Sequence, residues 1–449
     1  MRVGRFLLRA LAIFLFVAKQ TLLFLGGWLV LLMTLRPRAR RQAWFGARVL
    51  ALFRDLGATF IKVGQIMSTR PDLLPPHIIH ALETLQDDVG PFSYAEVQAT
   101  VIEELHRPID ELFAEFSPSP IASASVAQVH KARLTDGRIV AVKVRRPNID
   151  EMMAFDLQAM RLFGRALELF PSIRLLAPVE TVEEFGRGIQ MQLDFTIEAK
   201  NNHRFQANFA GDRDVLFPAL VDELCTRRVL VMDFIDGTKV GKFASGNADP
   251  KLRKKLAEIG MRAMLKMVFE DGFVHADLHP GNVFITRDER LALLDLGLVG
   301  ELDAVHRGAF ARYFAAWATG DGKTMAKIMV DHSRSRTIPD FPGFEAEVVE
   351  FMQRYYGKRL GEVEVSRVIL DMMGILRRYR VRANPTFTLV NIAIAVTEGI
   401  GKQLDPTVDL MAAALPFFAR NDFFTAPPTP SAPASGGSNG VANPARSSS

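Results

Sequence analysis

The sequence predicts an α+β protein in two lobes, a small strand-bearing one followed by a larger, mainly helical one. Three stretches carry this reading. A Lys-bearing apolar strand, Val140-Ala141-Val142-Lys143, follows a hairpin of small residues. A β-rich run from Val229 to Gly237 ends in a turn, and beyond it the chain is mainly helical. Within that helical half lies the polar loop His275-Ala276-Asp277-Leu278-His279-Pro280-Gly281-Asn282, then a short apolar hairpin and the turn Asp295-Leu296-Gly297.

Size and composition agree with a folded, multi-lobed protein. At 449 residues, 49% hydrophobic and 23% charged, the chain can bury an ample core. Formal charge is +5, and much of the excess sits in Arg2, Arg5, Arg9, Arg36, Arg38, Arg40 and Arg41. Beside an apolar segment this reads as a membrane flank, and no nucleic-acid partner is expected. Cys225 is the only cysteine, which rules out an internal disulfide and points to a reducing compartment.

In chain order, residues 1–41 form an apolar, membrane-associating segment with a basic flank. Ala10 to Met33 is apolar except for Lys19, Gln20 and Thr21. As a helix it would extend roughly 36 Å, enough for a bilayer core. Lys19 costs about 3 kcal/mol on the insertion scale, and the many apolar side chains return roughly 4–8 kcal/mol, so a span is feasible. The other reading is a pair of helices lying on the membrane or on the folded domain. No cleavage site follows, and the Arg run keeps the large domain on the cytoplasmic face of the cell membrane.

Residues 42–117 read as a helical extension, with helices over Leu52–Met67, Ile78–Leu85 and Tyr94–Leu105 separated by Pro75-Pro76. Lys62 and Gln65 fall three apart on one helical face. Residues 118–236 form the small lobe, with a helical insertion. Ala122, Ser123, Ala124, Ser125, Val126 and Ala127 make a small-residue loop before the strand over Arg138–Arg145. Alternation puts Val140, Val142 and Val144 on one face and Ala141 and Lys143 on the other. An ammonium among valines is costly without an anion, so phosphates and a Glu are its expected partners. The helical stretch from Asp150 to Phe209 supplies Asp194 and Glu198, four apart on one face, and Glu198 is assigned to Lys143. Met232, Asp233 and Phe234 sit where the small lobe hands over to the larger one, residues 237–424. Residues 425–449, rich in Pro, Ser, Ala, Gly and Asn, read as a disordered tail.

Chemistry follows from spacing. Protein kinases place a base Asp, a metal-binding Asn five residues later, and a metal-binding Asp-x-Gly after a short hairpin. Asp277, Asn282 and Asp295 reproduce that order, so the α+β chain is read as a two-lobed, protein-kinase-like fold. A competing reading takes His275, Asp277 and His279 as ligands for zinc or iron.

These residues together resemble the UbiB/AarF (ADCK-like) family of atypical kinases over about Leu52–Phe418. Lys62-Val63-Gly64-Gln65 is similar to the family's Lys-x-Gly-Gln signature and Ala122–Gln128 to its Ala-rich loop. Asp194 and Glu198 resemble its acidic helix motif, and His275–Asn282 its catalytic loop. The resemblance implies an extension packed across the site mouth, with Lys62, Gln65 and Asp194 gating it. It also implies an ATP- and Mg²⁺-dependent kinase or ATPase supporting ubiquinone biosynthesis, with membrane lipid, quinone precursors and quinone-biosynthesis enzymes as partners. Lys143, Glu198 and Asp277 would be catalytic and Asn282 and Asp295 would hold the metal. The Ala-rich loop, Ala141, Lys143 and Met232–Phe234 would hold the nucleotide. Gln192 stands where the family usually has Glu, removing one charge. Two other functions share part of the pattern: a non-catalytic nucleotide-binding scaffold and an aminoglycoside-type small-molecule phosphotransferase. His275-Ala276-Asp277 lacks an Arg beside the base, and no Ala-Pro-Glu segment follows Gly297, which leaves little room for a peptide platform.

Overall fold

The computed structural model describes residues 2–33, 37–68, 74–82, 84–85, 90–169, 177–334, 338–356, 365–408, 413–414 and 417. The tail expected at 425–449 lies outside them.

The extension begins with α1 (Arg2–Met33) and α2 (Arg38–Leu56). Among the described residues no helix is long and apolar enough to cross a membrane. The polar triplet at Lys19–Thr21 interrupts the apolar run, and its middle member is committed to protein: Gln20 is buried, its Nε2 donating to Asp55 Oδ2 at 2.6 Å. Phe24 and Trp28 of α1 pack against Trp44 and Phe45 of α2. Gly27 permits this approach, because a Cβ there would lie 2.3 Å from the Trp44 ring.

The helix expected over Leu52–Met67 is two helices, α2 and α3 (Ala58–Ser68). Gly57 adopts φ 95° between them, a left-handed turn that glycine makes at little cost. Next come α4 (Pro76–Leu82), shorter than the Ile78–Leu85 reading at its end, and α5 (Tyr94–Leu105). A capping box joins Ser93 and Glu96 at the start of α5. A short α6 (Ile109–Leu112) leads into the first sheet.

That sheet contains β1 (Phe113–Phe116), β2 (Ala122–Ser123), β3 (Ala127–Leu134), β4 (Ile139–Arg145) and, after the helical insertion, β6 (Val229–Asp233). Its order is β1-β3-β4-β6, with β2 paired to β3. Val140, Val142 and Val144 are fully buried on one face against Val97, Val101, Val229 and Val231. The insertion comprises α7 (Ile149–Leu167), α8 (Pro178–Gln192) and α9 (Phe195–Asn208). α9 joins the lobes. Its first half packs Phe195 and Ala199 against Ala127 and Leu230 of the sheet, and Phe205 enters the core of the larger lobe.

The larger lobe holds a sheet of β5 (Val215–Leu216), β10 (Leu291–Leu293), β9 (Val283–Thr286) and β7 (Gly237–Lys239), plus the pair β8 (Phe273–His275) and β11 (Val299–Glu301). Around them pack α10 (Val240–Ala244), α11 (Pro250–Leu265) with a π-helical turn to Asp271, α12 (Ala304–Thr319), α13 (Gly322–Asp331), α14 (Phe341–Tyr355), α15 (Val365–Arg378) and α16 (Pro385–Leu404). α12 to α15 also enclose a second core, built on Met325, Phe344, Phe351, Met352 and Met372.

Phe205 is wholly buried, its ring 5.1 Å from Phe217 and 4.7 Å from Phe273. Phe205→Ala is expected to cost about 3–5 kcal/mol, read as a lower denaturation midpoint in urea without a change of slope.

Candidate active site

Lys143 leaves β4 on the face opposite the buried valines. Its Nζ lies 2.8 Å from Glu198 Oε2, 3.0 Å from Oε1, and 3.2 Å from Asp295 Oδ1. One ammonium thus joins β4, α9 and the turn after β10. Glu198 reaches it because Asp194 caps α9: Asp194 Oδ1 accepts from Thr196 N at 3.1 Å and from its hydroxyl at 2.6 Å. The Lys143 side chain is 14% exposed and that of Glu198 7%, while the Asp295 carboxylate is 47% exposed and faces the opening.

Burial lowers the Lys143 pKa, but Asp295 and Glu198 outweigh it and leave the ammonium more stable than an ordinary lysine's. The Lys143 charge holds Asp295 at about 2, helped by Lys62. Glu198 goes the other way: burial raises its pKa and the nearby Asp295 charge adds to the rise, against the pull of Lys143. Two carboxylates on one ammonium are pushed apart in acidity.

The loop between β8 and β9 is fixed by His275. Its imidazole is fully buried, and burial keeps it neutral. Nε2–H donates to Leu294 O at 3.0 Å, while Nδ1 accepts from Asp277 N at 3.3 Å. Both ring nitrogens are therefore spent on backbone, and among the described residues no three His, Cys, Asp or Glu side chains gather as a metal cluster. His275 is a support, which removes the His275–Asp277–His279 metal reading. Asn282 donates from Nδ2 to Asp277 O at 3.1 Å, and its backbone carbonyl accepts from Leu294 N at 2.9 Å. This ties the loop to the strand leading into Asp295. Asp295 has φ 56°, a left-handed backbone stored at the turn. Gly297 follows closely; a Cβ there would sit 3.5 Å from Asp295 Oδ1 and 3.6 Å from Glu198 Oε2.

The small-residue loop is a tight turn. Ala124 N donates to Ala127 O at 2.7 Å, Arg146 donates from Nη2 to Ala124 O at 3.1 Å, and Ser125 is fully buried. None of Ala122 to Ala127 has positive φ, as alanine prefers. Ala141 pairs with Met232 and Val140 with Asp233, and Phe234 N donates to Ile139 O at 3.0 Å. β6 therefore continues the sheet beside Lys143, which itself pairs with Leu230.

From the extension, α3 packs Val63 into a core with Val126, Ile149, Phe185 and Leu193. Gly64 lets α3 lie close to its neighbours within the extension: a Cβ would lie 2.4 Å from Leu85 and 2.7 Å from Phe53. Lys62 comes close enough for its charge to act on Asp295 and Glu198. Gln65 is turned elsewhere, its Nε2 donating to Leu85 O at 3.3 Å. Asp194 is likewise occupied, by the α9 cap and by Arg227 Nε at 3.1 Å. Of the three residues expected to gate the site, Lys62 is the one whose charge is seen to bear on Glu198 and Asp295.

Two positioning residues escaped the sequence reading. Asn201 donates to Leu296 O at 2.8 Å, holding the Asp295 turn against α9, and Arg146 pins the small-residue loop. Asn201 sits one turn after Glu198, so its shared face was a usable signal.

The donor set suits a hard divalent cation. Asn282 Nδ2 is spent on Asp277 O, and its amide oxygen and the exposed Asp295 carboxylate are oxygen donors of the kind such a cation takes.

Comparison with known proteins places this geometry. The ABC1 atypical kinase-like domain matches residues 84–329, and the UbiB helical domain matches 348–409. "Probable protein kinase UbiB" of Cellvibrio japonicus is 36% identical over 390 residues, covering 86% of this chain and 70% of that protein. Its counterpart in Vibrio cholerae strain M66-2 is 34% identical over 381 residues, covering 84% and 70%. The fold is shared with Rv3197 of Mycobacterium tuberculosis, solved with erythromycin: TM-score 0.55, 24% identity, 79% of this chain and 90% of that one.

Removing the shared cation tests the electrostatics. In Lys143→Met, Glu198 and Asp295 face one another uncompensated, at an expected cost of about 2–4 kcal/mol near neutral pH. Their folded pKa values then exceed the unfolded ones, so the penalty shrinks as pH falls and grows as pH rises through them. In the wild type, Asp295 acts in the opposite sense: its contribution is complete above 3.8 and lost as pH falls toward about 2. Urea titrations at about pH 2.5 and about pH 7 on both proteins check the crossing signs.

Proposed function

The chain belongs to the UbiB family of ABC1 atypical kinases, and from that premise we propose that it binds Mg-ATP and supports ubiquinone biosynthesis at the cytoplasmic face of the membrane. The observation that carries this reading is the Lys143 ammonium held between Glu198 and Asp295, beside the Asp277–Asn282 loop. Lys143 would hold the α- and β-phosphates, with Glu198 keeping it extended from β4. Asn282 and Asp295 would hold Mg²⁺, which neutralises charge on the phosphates when bound. Asp277 would orient or deprotonate the acceptor, water or a hydroxyl. Ala141 and the Met232–Phe234 backbone would bracket adenine, and the Ala122–Ala127 turn would cover the phosphates.

Lys62 sits on the acceptor side, where its charge already bears on both carboxylates. Gln65 and Asp194 would act there indirectly, through the packing of α3 and the cap of α9. A small acceptor suits the site better than a peptide. After Gly297 only β11 and a short turn precede α12 at Ala304, leaving no room for an activation segment. Quinone precursors, membrane lipid and quinone-biosynthesis enzymes are the partners in this reading.

ATP turnover by the purified protein with lipid present is expected to fall at least about a hundredfold in Asp295→Asn and in Lys143→Met. Wild-type turnover in Asp295→Asn would end the metal assignment. In a deletion strain, an early quinone precursor should accumulate, and restoring the chain should clear it. Full restoration by Asp277→Ala would instead assign the protein a scaffold's role.

A further inference from the structure

Fourteen large hydrophobic side chains are exposed among the described residues, and eight of them gather on two adjoining helices. Leu11, Leu15, Leu22, Leu23 and Leu25 of α1 are 46–71% exposed. Leu162 and Phe163 of α7, and Leu169 just beyond it, are 60–80% exposed, and α7 packs against α1. On α1, the exposed positions 11, 15, 19, 22 and 26 follow steps of four, four, three and four residues, a stripe along one helical face about 22 Å long. The other face is taken: Gln20 is tied to Asp55, and Phe24 and Trp28 lie on Trp44. A helix spent on protein along one side and apolar along the other cannot offer its whole circumference to lipid. It can rest in a surface.

We propose that α1, continued by the end of α7, docks flat on an anionic membrane surface, apolar face down. Charge selects this occupant. Lys19 lies in the stripe and is exposed, Arg38 and Arg40 are exposed at the start of α2, and α1 contains no Asp or Glu. Two copies of the chain meeting about a two-fold axis on this face would bring Lys19 against Lys19, because that residue lies near the stripe's midpoint. An acidic headgroup layer instead receives the ammonium while the leucines enter the acyl boundary. The proposal rests on the membrane-side placement given above, but not on phosphoryl-transfer chemistry.

The test uses the full chain with Cys225→Ser, spin-labelled singly at Leu11→Cys, Leu15→Cys, Leu22→Cys or Phe163→Cys. Vesicles are phosphatidylcholine with and without phosphatidylglycerol. Flat docking requires all four labels at one shallow depth, and binding that needs phosphatidylglycerol and weakens with salt. Leu15→Glu with Leu22→Glu should weaken vesicle partition at least about tenfold, whereas Ile102→Glu, exposed on α5, should not. An unchanged urea midpoint in the double variant shows that it is folded and separates this result from any failure of the kinase reading. Depth that rises to the bilayer centre and falls again along α1 would mean a span and overturn the proposal. So would labels that stay water-accessible while sedimentation reports a dimer, or binding indifferent to anionic lipid.

Discussion

The molecule depends on one partly desolvated ammonium shared by two carboxylates. Lys143 belongs to the small sheet, Glu198 to the helix that crosses between the lobes, and Asp295 to a turn of the larger lobe. Their mutual attraction is strong because the cluster is largely out of water, and for the same reason no member can be removed cheaply. The division of exposure is purposeful. Glu198 and Lys143 are nearly enclosed, while Asp295 keeps a solvent-facing side on which a ligand's charge can be met.

Around the cluster the supports are backbone-directed. His275 spends both nitrogens on main chain, Asn282 reaches Asp277 O, Asn201 reaches Leu296 O, and Arg146 reaches Ala124 O. The loop, the turn and the small-residue hairpin are each pinned from a different element. The extension adds a third wall by packing α3 against the hairpin and α8 through Val63. Gly64 lets α3 approach Phe53 and Leu85 within the extension, so the glycine in Lys62-Val63-Gly64-Gln65 serves close packing more than a bend.

Much of this was legible from residue types. An ammonium among valines on a strand asks for an anion, and Glu198 and Asp295 supply it. The lobes followed from the switch between period-two and helical patterns. Other features were hidden for physical reasons. Gly57 lies in an uninterrupted helical pattern, and only its positive φ shows the break between α2 and α3. Asp194 reads as part of an acidic pair, yet capping competes for the same carboxylate and wins locally. Gln65 shares a face with Lys62 but is captured by the Leu85 carbonyl. Nor does the apolar N-terminal run announce that Gln20 within it is buried and bonded to Asp55.

The second core, enclosed by α12 to α15, has its own consequence. It is built on Phe344, Phe351 and Met372 and stands apart from the aromatic cluster around Phe205. Two hydrophobic nuclei in one lobe can open on separate timetables. The helical annex could loosen and re-form while the Asp295 turn stays closed. A lesion there would shorten the protein's lifetime in the cell and leave each surviving molecule's chemistry intact.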